Sequence, residues 1–352
     1  MRPALTRLTG LALSSALLFC RVGAAVTLAS DIDPSALPPI DAATSLLIVS
    51  PHPDDETLCC GGVIQRVLHA GGRVSVVWLT SGDAARMSLI LAGRSLFPGA
   101  TVARALGAQR MAEARLATAR LGVTAAEQLF LGYPDGGLEE LLSTHRTAPY
   151  TSPTTRTAVV PYSDALFPGH PYTGESLERD FLAVLERVQP TLILAPTPLD
   201  SHPDHRAAGL LAQRLGARHT PALSLRYWIV HGGEGWPSPR ELLPGLPLMP
   251  APLAVALAPA GFALVPVEED AKLLALRDYQ TQMRVMAPFL LAFVRSNELF
   301  SVRADFDAAS TISSGGFRDV VGGASGLCID RSHRRCSRAA GRAGLAGARD
   351  EE

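Results

Sequence analysis

The chain has 352 residues and a formal net charge of −1, so it is long enough for a full core and carries no basic field suited to nucleic acid. Aromatic residues are only 6%, which also disfavours a base-stacking surface. The hydrophobic fraction of 47%, set among many Gly and Pro, reads as globular rather than disordered.

The first element is a targeting segment. Arg2 and Arg7 flank a short basic start, Leu8 through Phe19 is mostly apolar, and Val22-Gly23-Ala24-Ala25 offers small residues for cleavage. Residues 1–25 therefore read as a signal peptide and the protein as exported, periplasmic or extracellular. An uncleaved anchor is the main rival, while the bulky Phe19 before Cys20 argues against a lipoprotein. The apolar stretch is too short for a comfortable membrane span, and no other segment reads as one. Without the signal, Cys59, Cys60, Cys328 and Cys336 remain. The adjacent pair reads as small apolar core residues, and the later pair could form a disulfide in an oxidising compartment. No spacing fits a zinc–thiolate site, so any metal must rest on His and carboxylate.

After a Pro-rich entry, Ser45–Ser50 reads as a strand and Glu56–Ala70 as a helix ended by Gly71-Gly72. Val74–Thr80 is the next strand, followed by Ser81-Gly82-Asp83. A helical pattern covers Arg104–Leu121 and stops at Gly122. Gln128–Leu131 is a short strand running into Gly132-Tyr133-Pro134-Asp135-Gly136-Gly137. Ser176–Val188 is helical, Thr191–Ala195 is a strand, and a further helix runs from Arg206 to about Leu215, leaving residues 202–205 in a loop. This order predicts an α/β fold: a Rossmann-like, mostly parallel sheet with helices on both faces. Polar loops at His52, Ser81, Asp135 and His202 then share the C-terminal rim of the strands, where such sheets bind ligands. Two irregular stretches, Thr144–Gly174 and Gly232–Pro259, read as functional lids or as ordinary surface insertions. The main domain is expected over 26–312, with 313–352 a disordered tail of Gly, Arg, Ser and Ala.

Two clusters carry the chemistry. Pro51-His52-Pro53-Asp54-Asp55-Glu56 follows the run Leu46-Leu47-Ile48-Val49, and His202-Pro203-Asp204-His205 follows Thr191–Ala195. His and Asp three apart in a turn can face one ion, while the neighbouring Asp faces an open position. An Asp here can instead cap a helix. Capping gives no reason, however, for three histidines across two loops. Two His and one carboxylate with an open position is a recurring catalytic zinc set. Such an ion acidifies water and polarises a carbonyl.

These paired motifs resemble the LmbE-like family of zinc-dependent N-deacetylases, related to N-acetylglucosaminyl-phosphatidylinositol de-N-acetylase. Weaker matches accompany them: Arg110-x-x-Glu113, Leu131-Gly132-Tyr133-Pro134-Asp135-Gly136, and Lys272 with Tyr279 and Gln282 in a late helix. The resemblance runs from about Ala43 to Phe300. It implies one zinc ion per chain held by His52, Asp55 and His205. Asp54 would be the general base towards water, His202 would stabilise the oxyanion or protonate the leaving amine, and Asp204 would orient a histidine. Arg110 and Asp135 would contact substrate hydroxyls, although an Arg–Glu pair three apart is also a common solvated ion pair, and Pro-Asp-Gly a common turn. His170 is a further candidate for the pocket.

The function so implied is removal of acetyl from an N-acetylated amino sugar in a glycan or small glycoconjugate. A zinc hydrolase of another amide or ester is the near alternative, and an exported non-catalytic glycan-binding protein the distant one. No Gly-x-Ser-x-Gly elbow and no Gly-x-Gly-x-x-Gly after the first strand occur, which removes the usual signals for a serine hydrolase or a dinucleotide enzyme.

Overall fold

Strand β1 (Ser45–Ser50) is buried along its whole length, as a parallel strand covered on both faces must be. In the computed structural model, which describes residues 37–219 and 223–304, it is the centre of a five-stranded sheet. The other strands are β2 (Arg73–Thr80), β3 (Gln128–Tyr133), β4 (Leu192–Pro196) and β5 (Ser224–Trp228). Their order is β3-β2-β1-β4-β5 and every pairing is parallel. The chain runs outward from β1 in one direction and then crosses to β4 on the other side. The gap between the C-terminal ends of β1 and β4 is therefore the switch point, where loops diverge and leave a crevice.

Helices surround this sheet: α1 (Asp55–His69), α2 (Arg86–Gly93), α3 (Ala100–Arg120), α4 (Leu138–Leu142), α5 (Gly174–Val188) and α6 (Pro203–His219). Helix α1 stops because Gly71 takes a φ of +81° and the amides of Gly71 and Gly72 return to the carbonyls of Leu68 and Val67. That is the Schellman closure, which needs a residue free to adopt positive φ. Beyond β5, an antiparallel pair β6 (Ala260–Ala263) and β7 (Asn297–Phe300) brackets α7 (Pro266–Leu276) and α8 (Gln280–Leu291). No helix among the described residues is long and apolar enough to cross a membrane.

Several expectations are corrected here. Helix α6 begins at Pro203, not Arg206, so Asp204 and His205 lie in its first turn rather than in a loop. Proline suits a first helical turn because its fixed φ and missing N–H cost nothing there. Lys272 and Gln282 fall on two helices, α7 and α8, with Tyr279 between them. Cys59 and Cys60 are buried as expected but are joined by a disulfide. The stretch 144–174 contains little regular structure beyond a bridge between Val159 and Pro171, and 232–259 contains one 3-10 turn, Pro252–Leu257. The chain divides into two units, Met1–Asp307 and Ala308–Glu352, and all described residues belong to the first. The expected signal peptide, the 313–352 tail and the pair Cys328 and Cys336 lie outside the described residues.

Candidate metal centre

The loop leaving β1 turns sharply at Asp54, whose φ is 132°. That conformation is strained for a residue with a Cβ, and such strain tends to be kept where a side chain must be aimed. The Asp54 side chain makes no capping bond to α1. It lines a cavity of about 280 Å³ instead, so the capping alternative is not realised.

The next residue, Asp55, opens α1 and directs Oδ2 to two imidazoles. His52 Nδ1 lies 3.1 Å away and His205 Nε2 also 3.1 Å. The two ring nitrogens are 3.3 Å from each other. A tetrahedral ion about 2.0–2.1 Å from N and O donors spaces those donors about 3.3–3.4 Å apart. The three atoms therefore form a triangle of the size a divalent ion needs, drawn from both motifs. Other trios also come within ligand reach: His52, His202 and His205; Asp55, His205 and His231; and His52, Asp135 and Asp204.

The far nitrogen of each histidine in the triangle meets a carboxylate. His52 Nε2 is 3.2 Å from Asp204 and 3.3 Å from Asp135. His205 Nδ1 is 3.1 Å from Asp200. Such partners fix the tautomer and keep the other nitrogen free for an ion. The carboxylates are themselves held. Asp204 accepts the amides of Gly136 and Leu138, Asp135 accepts that of Ala84, and Asp200 accepts those of Val230 and His231.

Charge follows this arrangement. Burial works against a charged His205, yet Asp55 and Asp200 raise its pKa to about 9. Burial likewise opposes a charged His52, but Asp135, with Asp204 and Asp55, holds it well above the usual value. Asp55 and Asp200 are driven below the carboxylate range despite burial, mainly by His205. Asp54 behaves oppositely: burial, only partly offset by Arg110, pushes it up to about 8.

His202 stands on the cavity wall with its ring edge-on to His52 at 4.7 Å. Its Nδ1 accepts the Asp204 amide, which leaves the proton of the neutral ring on Nε2. Burial, then His52, His205 and His231, push its pKa down. In that neutral form the ring offers the Nε2–H as a donor.

Arg110 is buried and donates to the carbonyls of Gly82 and Pro53 and, at 3.3 Å, to Asp54. Glu113 turns instead to Thr281, so the two do not form the solvated pair that helical spacing allows. Asp135 lines the cavity beside Arg110. His170 is not in the cavity lining; its Nδ1 meets Asp180 at 3.0 Å.

Three residues were missed in the sequence. Asp200 lies two positions before His202 and His231 just beyond β5, and His231 faces the cavity with its ring 4.7 Å from His205. Asp83 is buried behind β2, bonded by the Tyr162 hydroxyl and raised to about 7 by burial and the nearby Asp135. Asp83 and Asp200 follow apolar runs that the sequence marks as strands, which is a signal for both; His231 follows β5, which the sequence does not mark.

Residues 47–215 match the family model described as PIG-L, GlcNAc-PI de-N-acetylase. A 1D-myo-inositol 2-acetamido-2-deoxy-alpha-D-glucopyranoside deacetylase of Actinosynnema mirum is 28% identical over 305 residues, 82% of this chain and 99% of that protein. Diacetylchitobiose deacetylase of Thermococcus kodakarensis is 25% identical across 52% of this chain and 53% of its own. The solved N,N'-diacetylchitobiose deacetylase of Pyrococcus horikoshii is 21% identical with a TM-score of 0.45, over 72% of this chain and 82% of that one. Both motifs and the strand ends that carry them thus fall within a span, residues 47–215, that matches the PIG-L (LmbE-like) family model.

Proposed function

We propose that the protein is a zinc-dependent hydrolase that removes the acetyl group from an N-acetylated amino sugar. The observation that carries this reading is the donor triangle of His52, Asp55 and His205 beside a carboxylate, Asp54, that is not consumed as a helix cap. Two imidazoles and one carboxylate suit zinc, and its Lewis acidity would polarise the amide carbonyl and acidify water.

The chain's own groups account for the proton traffic. Asp54, raised to about 8 by burial in the metal-free protein, would accept the proton of attacking water in its ionised form, which a bound cation close by would favour. The same carboxyl can then return that proton to the amine nitrogen as the C–N bond breaks, leaving acetate and a free amino sugar. His202 donates from Nε2 to the oxygen that gains charge, which needs no net charge on the ring. Asp204, Asp135 and Asp200 keep the two ligand imidazoles in place. Arg110 and Asp135, both on the cavity wall, are suited to substrate hydroxyls, and Arg110 Nε has no partner among the described residues. The relatives in Actinosynnema mirum and Thermococcus kodakarensis, named for deacetylation of acetamido sugars, favour this substrate class over other amides or esters. The apolar N-terminus favours action outside the cytoplasm, on envelope or extracellular glycans, with residues 26–312 as the working domain.

The test is release of acetate and free amine from N-acetylglucosamine, diacetylchitobiose and a glycan panel by the zinc-loaded protein. Acetate in step with amine is the expected result. Binding of these sugars with no turnover at any pH would make the protein a glycan-binding member of the fold.

A further inference from the structure

The segment from Ala84 to Ala112 contains four arginines and no acidic residue, in a chain whose net charge is −1. Its first part, α2 and the turn after it, exposes bulky apolar side chains: Met87 is 58% exposed, Leu91 53%, Leu96 72% and Phe97 90%. Met87 and Leu91 are four apart and share a helix face. Arg86 and Arg94, also exposed, take part in no side-chain hydrogen bond or ion pair among the described residues. Arg86 lines the cavity, so this lip adjoins the cavity mouth.

We propose that this lip docks the protein on an anionic lipid surface, with Leu96 and Phe97 entering the acyl boundary and Arg86 and Arg94 meeting lipid phosphates. Contiguous exposed apolar groups mark contact sites. Apolar side chains beside cations, with acidic groups excluded, are the composition of an interfacial segment rather than of a neutral protein groove. Side chains standing as free as Phe97 touch little of their own fold. A fluid apolar phase accepts them without a shaped pocket, whereas a protein partner must supply one. Cations at such a surface add to binding through the negative potential of the leaflet. The cavity mouth then opens close to the membrane plane. That last consequence rests on the catalytic reading above; the docking itself does not.

The experiment uses the full chain with vesicles of phosphatidylglycerol and phosphatidylcholine, and with phosphatidylcholine alone. Phe97→Trp adds a reporter whose signal is the difference from the parent. The expected result is a blue shift of the added emission on anionic vesicles, with quenching by brominated lipid. Partition should fall about tenfold or more in a Leu96→Ser/Phe97→Ser variant and about threefold to fivefold in Arg94→Gln, with acetate release from a soluble N-acetyl sugar unchanged. If the chain sediments with vesicles while the added emission neither shifts nor is quenched, another segment carries membrane binding and the proposal fails. A blue shift that appears without lipid and grows with protein concentration would make the lip a self-association surface and overturn it equally. Loss of activity with lipid binding intact would instead count against the deacetylase reading.

Discussion

The ends of β1 and β4 carry nearly the same four residues, His-Pro-Asp-Asp and His-Pro-Asp-His, yet they divide the work differently. In the fourth position both supply a donor to the triangle, Asp55 and His205. In the third, Asp54 turns to the cavity at a strained φ, whereas Asp204 is fully buried under two backbone amides and meets His52. In the first, His52 is a donor with its pKa raised by three carboxylates, whereas His202 lies among imidazoles with its pKa lowered. Under the proposed assignment, one short pattern would yield a base between two ligands in one place, and a buried support between a neutral donor and a ligand in the other. The neighbours differ. β1 is the central strand, and its loop meets Asp135 from beyond β3 and Asp204 from beyond β4, whereas Asp204 itself lies within the first turn of α6.

The sharpest way to break this contrast is at the third position. Asp54→Asn should keep the metal and the fold but lower kcat by about 10²- to 10⁴-fold, since an amide cannot accept water's proton. Near-normal turnover would reduce Asp54 to a structural turn residue. At the first position, His202→Ala should cost about 10²- to 10³-fold in kcat with metal content unchanged. Loss of the ion in that variant would favour the alternative trio of His52, His202 and His205.

A smaller effect is expected one shell out. Asp200→Asn should weaken metal affinity about 10- to 100-fold, measured by chelator competition, while the fully loaded enzyme turns over close to normally. An unchanged affinity would mean that His205 is oriented by packing alone, against Trp228 and His231.

The smallest effect is a slope of stability with pH. His205 rises from 6.5 to about 9 on folding, so its contribution to the metal-free fold is complete below pH 6.5 and is lost as pH climbs through 9. Asp54, raised from 3.8 to about 8, acts in the same direction: ionising it in the folded state is costly, and that cost grows towards pH 8. The metal-stripped protein should therefore melt at a lower temperature at pH 9 than at pH 6. Saturating zinc should flatten the slope, because the ion takes the place of the protons on His52 and His205. A melting temperature that rises from pH 6 to 9 without metal would contradict the assigned charges.

Much of the sheet was legible because its strands are unbroken apolar runs, such as Leu46 to Val49 and Leu192 to Ala195, and because a parallel order sends all their ends to one rim. The candidate donors His52, Asp55 and His205 stood out for a related reason, being clustered polar residues in the segments that follow those runs. Helix α2 was not legible, because Met87 and Leu91 face away from the core and only Ser88 and Leu89 are buried, too few for an inward stripe. β5 was missed because Arg226 and half-buried positions interrupt it, and His231 was lost with it. The β6–β7 pair depends on a contact across more than thirty residues, from Ala263 to Asn297, which no local pattern announces. Asp135 reads locally as a turn residue. Only the fold reveals that the same turn gives the Gly136 amide to Asp204 and the Asp135 carboxylate to His52.

The central claim is that the two strand ends together make one metal centre, with donors from both. Metal content of the purified parent and of His205→Ala tests it most directly, because His205 is the donor that only the second segment supplies. The account predicts one zinc ion per chain in the parent and close to none in the variant, with the fold retained by circular dichroism. Undiminished zinc in His205→Ala would show that the β1 loop binds the ion without the β4 segment, and the shared site would have to be abandoned.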